Sequence, residues 1–191
     1  MKSFVLASKN KNKIKEMQNI FKDYQLEIIS PPDDFNPEET GATFEENAII
    51  KAKEAAKLCK KPALADDSGL AIEALKGAPG VYSARFEETN EKRIAKVLKM
   101  MENKQNKKAK FVCAMAFVNE KGEVIFKTTG ECHGEITTSA KGNQGFGYDP
   151  IFFIPSQNKT MAELSMDKKN QISHRSIALK GMVEKILNYK K

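Results

Sequence analysis

Apolar positions along the chain fall into short blocks that switch between two spacings. Residues 2–8 form a brief apolar run of strand type, and from Ile14 the positions Ile14, Met17, Ile20 and Phe21 recur at three and four residues, the spacing of one helical face. A second run at 25–29 predicts a strand, after which Pro31, Pro32, Pro37 and Gly41 enforce a loop. Thr43-Phe44-Glu45-Glu46 has the form of a capping box. Behind it, Ala48, Ala52, Ala55 and Cys59 make the narrow stripe of a helix packed closely on a sheet, ending before Pro62. Residues 63–65 predict a strand that runs into Asp66-Asp67-Ser68-Gly69, where glycine permits a tight turn.

In the second half, residues 72–75 precede a Gly/Pro loop, Gly77-Ala78-Pro79-Gly80, and then Ile94, Val97, Leu98 and Met101 share one helical face. The lysine-rich stretch 104–110 reads as a linker. Residues 111–118 and 123–129 are β-rich runs around Asn119-Glu120-Lys121-Gly122, which predicts a hairpin whose second strand continues past Gly130. Gly142, Gly145 and Gly147 open a loop before a strand at 151–154. Residues 160–163 form a second capping box, and a last helix from Ser173 buries Leu179, Met182, Val183 and Ile186. Strands alternating with helices, plus one hairpin, predict an α/β three-layer fold with a central mixed β-sheet flanked by helices. The 191 residues suit a single domain over 1–191.

Charge changes this picture more than composition does. The 32 Lys and Arg against 25 Asp and Glu leave a net +7, which points to a polyanionic partner. The distribution narrows the choice: Asp33, Asp34, Glu38, Glu39, Glu45 and Glu46 form an acidic island without Lys or Arg, which a nucleic-acid groove rarely tolerates unless it holds metal. The N-terminal apolar run is too short for a signal peptide or a membrane span, so the expectation is a cytoplasmic protein with no membrane partner. Cys59, Cys113 and Cys132 are unpaired in pattern and expected reduced. His133 and His174 sit in no zinc motif, which leaves magnesium held by carboxylates as the expected metal.

Five constellations carry candidate chemistry. Ser8-Lys9-Asn10-Lys11-Asn12-Lys13 opens a helix, so free backbone N–H groups and ammoniums stand together as a triphosphate needs, although no Walker loop is present. Asp66-Asp67 at a strand end can hold magnesium or orient and deprotonate a water. Glu38-Glu39 can add a carboxylate to that metal. Gly145-Phe146-Gly147-Tyr148-Asp149-Pro150 places glycines around aromatic rings, letting a ring lie on a base while Asp149 accepts hydrogen bonds. Lys169 and Ser173-His174-Arg175 offer donors to a purine 6-oxo group or to phosphate.

These ordered motifs, together with Phe44-Glu45-Glu46-Asn47-Ala48 and Gly77-Ala78-Pro79-Gly80-Val81-Tyr82-Ser83-Ala84-Arg85, resemble the inosine triphosphate pyrophosphatase family over nearly the whole chain. Lys9 departs from the glycine common at that place. The resemblance implies hydrolysis of XTP, ITP and dITP to the monophosphate and pyrophosphate, cleansing the nucleotide pool, by a magnesium-dependent homodimer. It implies that residues 8–13 bind the triphosphate, that Glu39 and Asp67 hold magnesium, and that Asp67 accepts the proton. Ser68 would touch substrate, Phe146, Gly147, Tyr148 and Asp149 would cradle base and sugar, and Lys169 would contact the nucleotide. His174 and Arg175 would read the 6-oxo edge, with Lys51 and Arg85 as weaker phosphate candidates. Two other readings stay open: a Maf-like nucleotide pyrophosphatase with another base preference, and a basic nucleic-acid-binding module whose affinity falls steeply with salt.

Overall fold

A computed structural model describes residues 3–21, 24 and 26–189. Among these, seven strands form one mixed sheet in the order β2-β1-β3-β4-β5-β6-β7. The strands are β1 (Ser3–Leu6), β2 (Glu27–Ile29), β3 (Ala63–Ile72), β4 (Lys108–Val118), β5 (Val124–Ile136), β6 (Phe152–Ile154) and β7 (Lys159–Thr160). The helices are α1 (Lys11–Phe21), α2 (Phe44–Cys59), α3 (Asn90–Met101), α4 (Met166–Ile172) and α5 (His174–Asn188). β1 pairs in parallel with β2 and β3, while β5, β6 and β7 pair antiparallel. Lys2 and Gln25, expected at two strand starts, lie outside the described residues.

The chain divides into two compact units. The first holds the residues up to Asp67, Cys113–Gly130 and the residues from His174; the second holds Ser68–Val112 and Glu131–Ser173. In the first, side chains alternate across the sheet as a strand's period of two requires. Phe4, Leu6, Leu64, Met115 and Phe117 meet Met17 and Phe21 of α1 and Leu179, Met182 and Ile186 of α5. Val5, Ala7, Ala63, Ala65 and Val118 point the other way, onto Ala48, Ala52, Ala55 and Ala56 of α2. Small residues on both partners let α2 lie close to the sheet. On the opposite side, Gly130 of β5 lets α5 come close: a Cβ there would stand 2.2 Å from the carbonyl oxygen of His174 and 2.5 Å from the Ala178 nitrogen. In the second unit, Leu70, Ile72, Val97, Met101, Ile151, Phe152 and Met161 form a separate core.

Several elements differ from the sequence expectation. β3 does not stop at Ala65 but continues through Asp66, Asp67, Ser68 and Gly69 to Ile72. Charged residues can occupy a buried strand when cations meet them, and here they do. Gly69 serves close packing and not a turn, since a Cβ on it would lie 2.3 Å from Ser83 Oγ. The expected linker over 104–110 is shortened because β4 begins at Lys108. The second capping box is present but opens only a 3-10 turn, Met161–Glu163, and α4 is an extra short helix capped by Ser165. Cys59, Cys113 and Cys132 are free thiols, the last two buried.

Candidate active site

Asn10 caps α1, its Oδ1 accepting from the N–H groups of Asn12 (3.1 Å) and Lys13 (3.3 Å), while Ser8 Oγ accepts from the Asn10 N–H. No acidic residue occupies the first turn of α1, so its positive end is left uncompensated by side chains there. Lys9, Lys11 and Asn12 are exposed. Lys9 donates to the backbone oxygen of Asp33 at 2.5 Å, which ties the turn to the acidic loop. Lys13 reaches inward to Asp66 Oδ2 at 2.8 Å.

Adjacent residues of a strand face opposite sides of the sheet, so Asp66 and Asp67 do not converge on one ion. Asp66 points to the α1 and α5 side, where it meets Lys13, the Arg175 Nε at 3.7 Å and the Cys113 thiol at 3.9 Å. Burial alone would raise its carboxyl pKa, but Lys13, Arg175 and Lys51 outweigh burial and hold it well below the usual carboxylate range. Burial, reinforced by Asp66, pushes the Cys113 thiol far up, so it stays protonated. Arg175 is itself 2% exposed and pairs with buried Glu16 of α1. Glu16 lies outside the motifs legible in the sequence, although Lys13, Glu16 and Ile20 share a helical face.

Asp67 points to the α2 side. Asn47 and Lys51, one turn apart on α2, take one oxygen each: Asn47 Nδ2 donates to Oδ2 at 3.2 Å and Lys51 Nζ to Oδ1 at 3.2 Å. Lys51 also donates to Glu39 Oε1 at 2.7 Å, so a single ammonium draws the acidic loop and the strand together. The loop can press on the first turn of α2 because residue 41 is glycine; a Cβ would stand 2.6 Å from Glu46 Cβ and 2.7 Å from Asn47 Oδ1. The predicted capping box holds that turn, with Thr43 accepting from the Glu46 N–H and Glu46 from the Thr43 N–H. Burial raises the Asp67 pKa above the ordinary carboxylate value, although Lys51 and Lys13 oppose the shift. For Lys51, burial works against the charge, but Asp66, Asp67 and Glu39 outweigh it and raise its pKa.

In the second unit, Gly145 and Gly147 have positive φ, +78° and +62°, and carry the loop around Phe146. Asp149 Oδ2 accepts from the Phe146 N–H at 2.9 Å and from Lys169 Nζ at 2.7 Å. The Lys169 ammonium also lies 4.8 Å from the Phe146 ring centroid. Lys169 is thus a buried partner of Asp149 and not a solvated charge. Tyr148 is buried and donates its hydroxyl to the Ser83 carbonyl, while Ser68 and Phe146 are partly exposed. Arg85 rests over the exposed Tyr82 ring, 5.2 Å from its centroid.

The Glu39 and Asp67 pair suits a magnesium ion, which is usually held by one or two carboxylates with waters and substrate phosphates completing its shell. Among the described residues no cluster of three or more His, Cys, Asp or Glu offers an all-protein cage for a metal.

The Ham1 family profile matches residues 4–185. A dITP/XTP pyrophosphatase of Synechocystis sp. is 43% identical over 183 residues, covering 96% of this chain and 94% of that protein. One of Staphylococcus aureus is 47% identical over 184 residues, covering 94% and 93%. Among solved structures, a HAM1 protein from Coxiella burnetii superposes with a TM-score of 0.89 at 44% identity, covering 99% of this chain and 100% of that one. The Staphylococcus aureus Ham1 protein gives 0.89 at 42% identity over the same shares. With the motifs of residues 8–13, 66–69, 145–150 and 173–175 all within the matched span, the chain belongs to the Ham1 family.

Proposed function

We propose that this protein hydrolyses non-standard purine nucleoside triphosphates of the XTP, ITP and dITP type to the monophosphate and pyrophosphate, with Asp67 as the proton acceptor. The observation that carries the reading is the grip on Asp67: each oxygen has its own donor on α2, which fixes the carboxylate where a general base is needed, and burial raises its pKa above the ordinary carboxylate value. Full-length relatives at 40–47% identity that bear the dITP/XTP pyrophosphatase name support the substrate class.

Residues 8–13 are assigned to the triphosphate, whose charge is met by the positive end of α1, capped by Asn10 with no acidic residue in its first turn, and by the ammoniums of Lys9, Lys11 and Lys13. Magnesium is assigned to Glu39 and Asp67, where, when bound, it would withdraw charge from phosphate oxygens. Lys51 and Asn47 keep those carboxylates aimed, and Ser68 follows Asp67 on the strand as a substrate contact. The loop of Phe146, Gly147, Tyr148 and Asp149 is assigned to base and sugar, with Lys169 holding Asp149. His174 and Arg175 are assigned to the 6-oxo edge; a donor there accepts hypoxanthine and xanthine, whereas adenine brings a donor of its own and leaves a mismatch. A homodimer, carried by the family resemblance, and a cytoplasmic location, carried by the short N-terminal apolar run, complete the proposal. Among the described residues no helix is long and apolar enough to cross a membrane.

Glu39 gives the direct test of the metal assignment. Glu39→Gln keeps a hydrogen-bond acceptor for Lys51 but removes one anionic ligand, so the magnesium concentration for half-maximal turnover should rise about tenfold or more. An unchanged magnesium titration would remove Glu39 from the metal site.

A further inference from the structure

The turn Gly77-Ala78-Pro79-Gly80-Val81-Tyr82-Ser83-Ala84-Arg85 contains a buried serine that serves two neighbours. Ser83 Oγ donates to the Gly80 carbonyl at 2.6 Å and accepts from the Leu70 N–H at 2.9 Å. This brings the turn against β3, an approach possible only because Gly69 lacks a Cβ. The Ser83 carbonyl accepts from Tyr148 Oη at 2.9 Å. Tyr148 sits between Gly147 and Asp149, in the loop that the positive-φ Gly145 and Gly147 carry around Phe146. Burial pushes the Tyr148 phenol up to about 12, so it remains a donor at neutral pH.

We propose that Ser83 is a positioning residue for base recognition: its hydroxyl fixes the strand segment following Ser68, and its carbonyl fixes Tyr148, so that Phe146 and Asp149 are presented in one geometry. The proposal rests on the assignment of residues 146–149 to the base. Neither bond involves a group that changes charge during phosphate cleavage. Their loss therefore weakens ground state and transition state alike, which is read as a higher KM with kcat kept.

The experiment is steady-state hydrolysis of ITP by Ser83→Ala, Tyr148→Phe and the double variant, with Phe146→Ala beside them. Each single change is expected to raise KM roughly three- to tenfold, the worth of one buried hydrogen bond, with kcat within about twofold. The double variant should exceed the worse single by less than about twofold, since both act through one link. Tyr148→Phe keeps the ring in the core, so it tests the proposal even if Ser83→Ala folds poorly. A fall in kcat as large as that in kcat/KM, multiplicative KM effects, or lowered thermal stability with KM unchanged in both single variants would overturn it. If Phe146→Ala raises KM while the other two do not, the Ser83 link alone fails. If Phe146→Ala leaves KM unchanged, the base assignment of the loop fails with it.

Discussion

Asp67→Asn is expected to lower kcat by about a hundredfold or more, the usual worth of a positioned general base, while the protein stays folded. Asparagine matches the aspartate in shape and still offers an oxygen to the Lys51 ammonium, which also retains Glu39 at 2.7 Å. What disappears is the capacity to accept a proton and one of the two anionic oxygens assigned to magnesium. Relief of the buried charge is opposed by the amide donor that the variant turns toward Asn47 Nδ2, so the thermal midpoint should move by only a few degrees. Circular dichroism melting alongside steady-state rates checks both halves. Near-normal turnover in a folded variant would take the proton away from Asp67.

The second large effect falls on stability. Arg175→Ala leaves the buried carboxylates of Glu16 and Asp66 without their guanidinium, and breaking such a buried pair from one side costs about 3–5 kcal/mol. For a chain of this size that corresponds to a fall in Tm of roughly 10 °C. The pH dependence has a definite sign. Asp66 is held below its unfolded pKa, so its stabilisation is complete above about pH 4 and is lost as the pH falls toward the folded value. With Arg175 gone, less of that depression remains, so the stabilities of the two proteins should converge as the pH is lowered. Urea unfolding at pH 7 and at about pH 3, below the unfolded carboxylate pKa, reads this directly; a loss below about 1 kcal/mol at pH 7 would show that Arg175 is not an electrostatic clamp.

Local rules made much of the fold legible. The capping box at Thr43, the alanine stripe of α2 and the run of β5 past Gly130 each follow from spacing within one segment. The end of β3 did not, because polar residues normally close a strand and here they are neutralised by cations from other elements. Lys13 lies 53 residues from Asp66 and Glu16 lies 159 from Arg175, separations at which no periodicity carries information. The site shows the same division. Sequence singled out Asp67 and Glu39 as candidates, but the strand's alternation separates Asp66 from Asp67, and only the fold identifies Lys51 as the cation joining Glu39 to Asp67. Asn47 and Lys51 did leave a signal: polar residues four apart beside Ala48, Ala52 and Ala55 mark a buried helix face that has a partner to satisfy.

The most direct measurement is the product spectrum of the purified protein with XTP, ITP, dITP, GTP and ATP, with and without magnesium, resolving pyrophosphate from orthophosphate. Pyrophosphate and monophosphate are expected from XTP, ITP and dITP, with little from GTP or ATP and none without magnesium, if the proposed function holds. Orthophosphate as the product, or pyrophosphate chiefly from ATP or GTP, would contradict it.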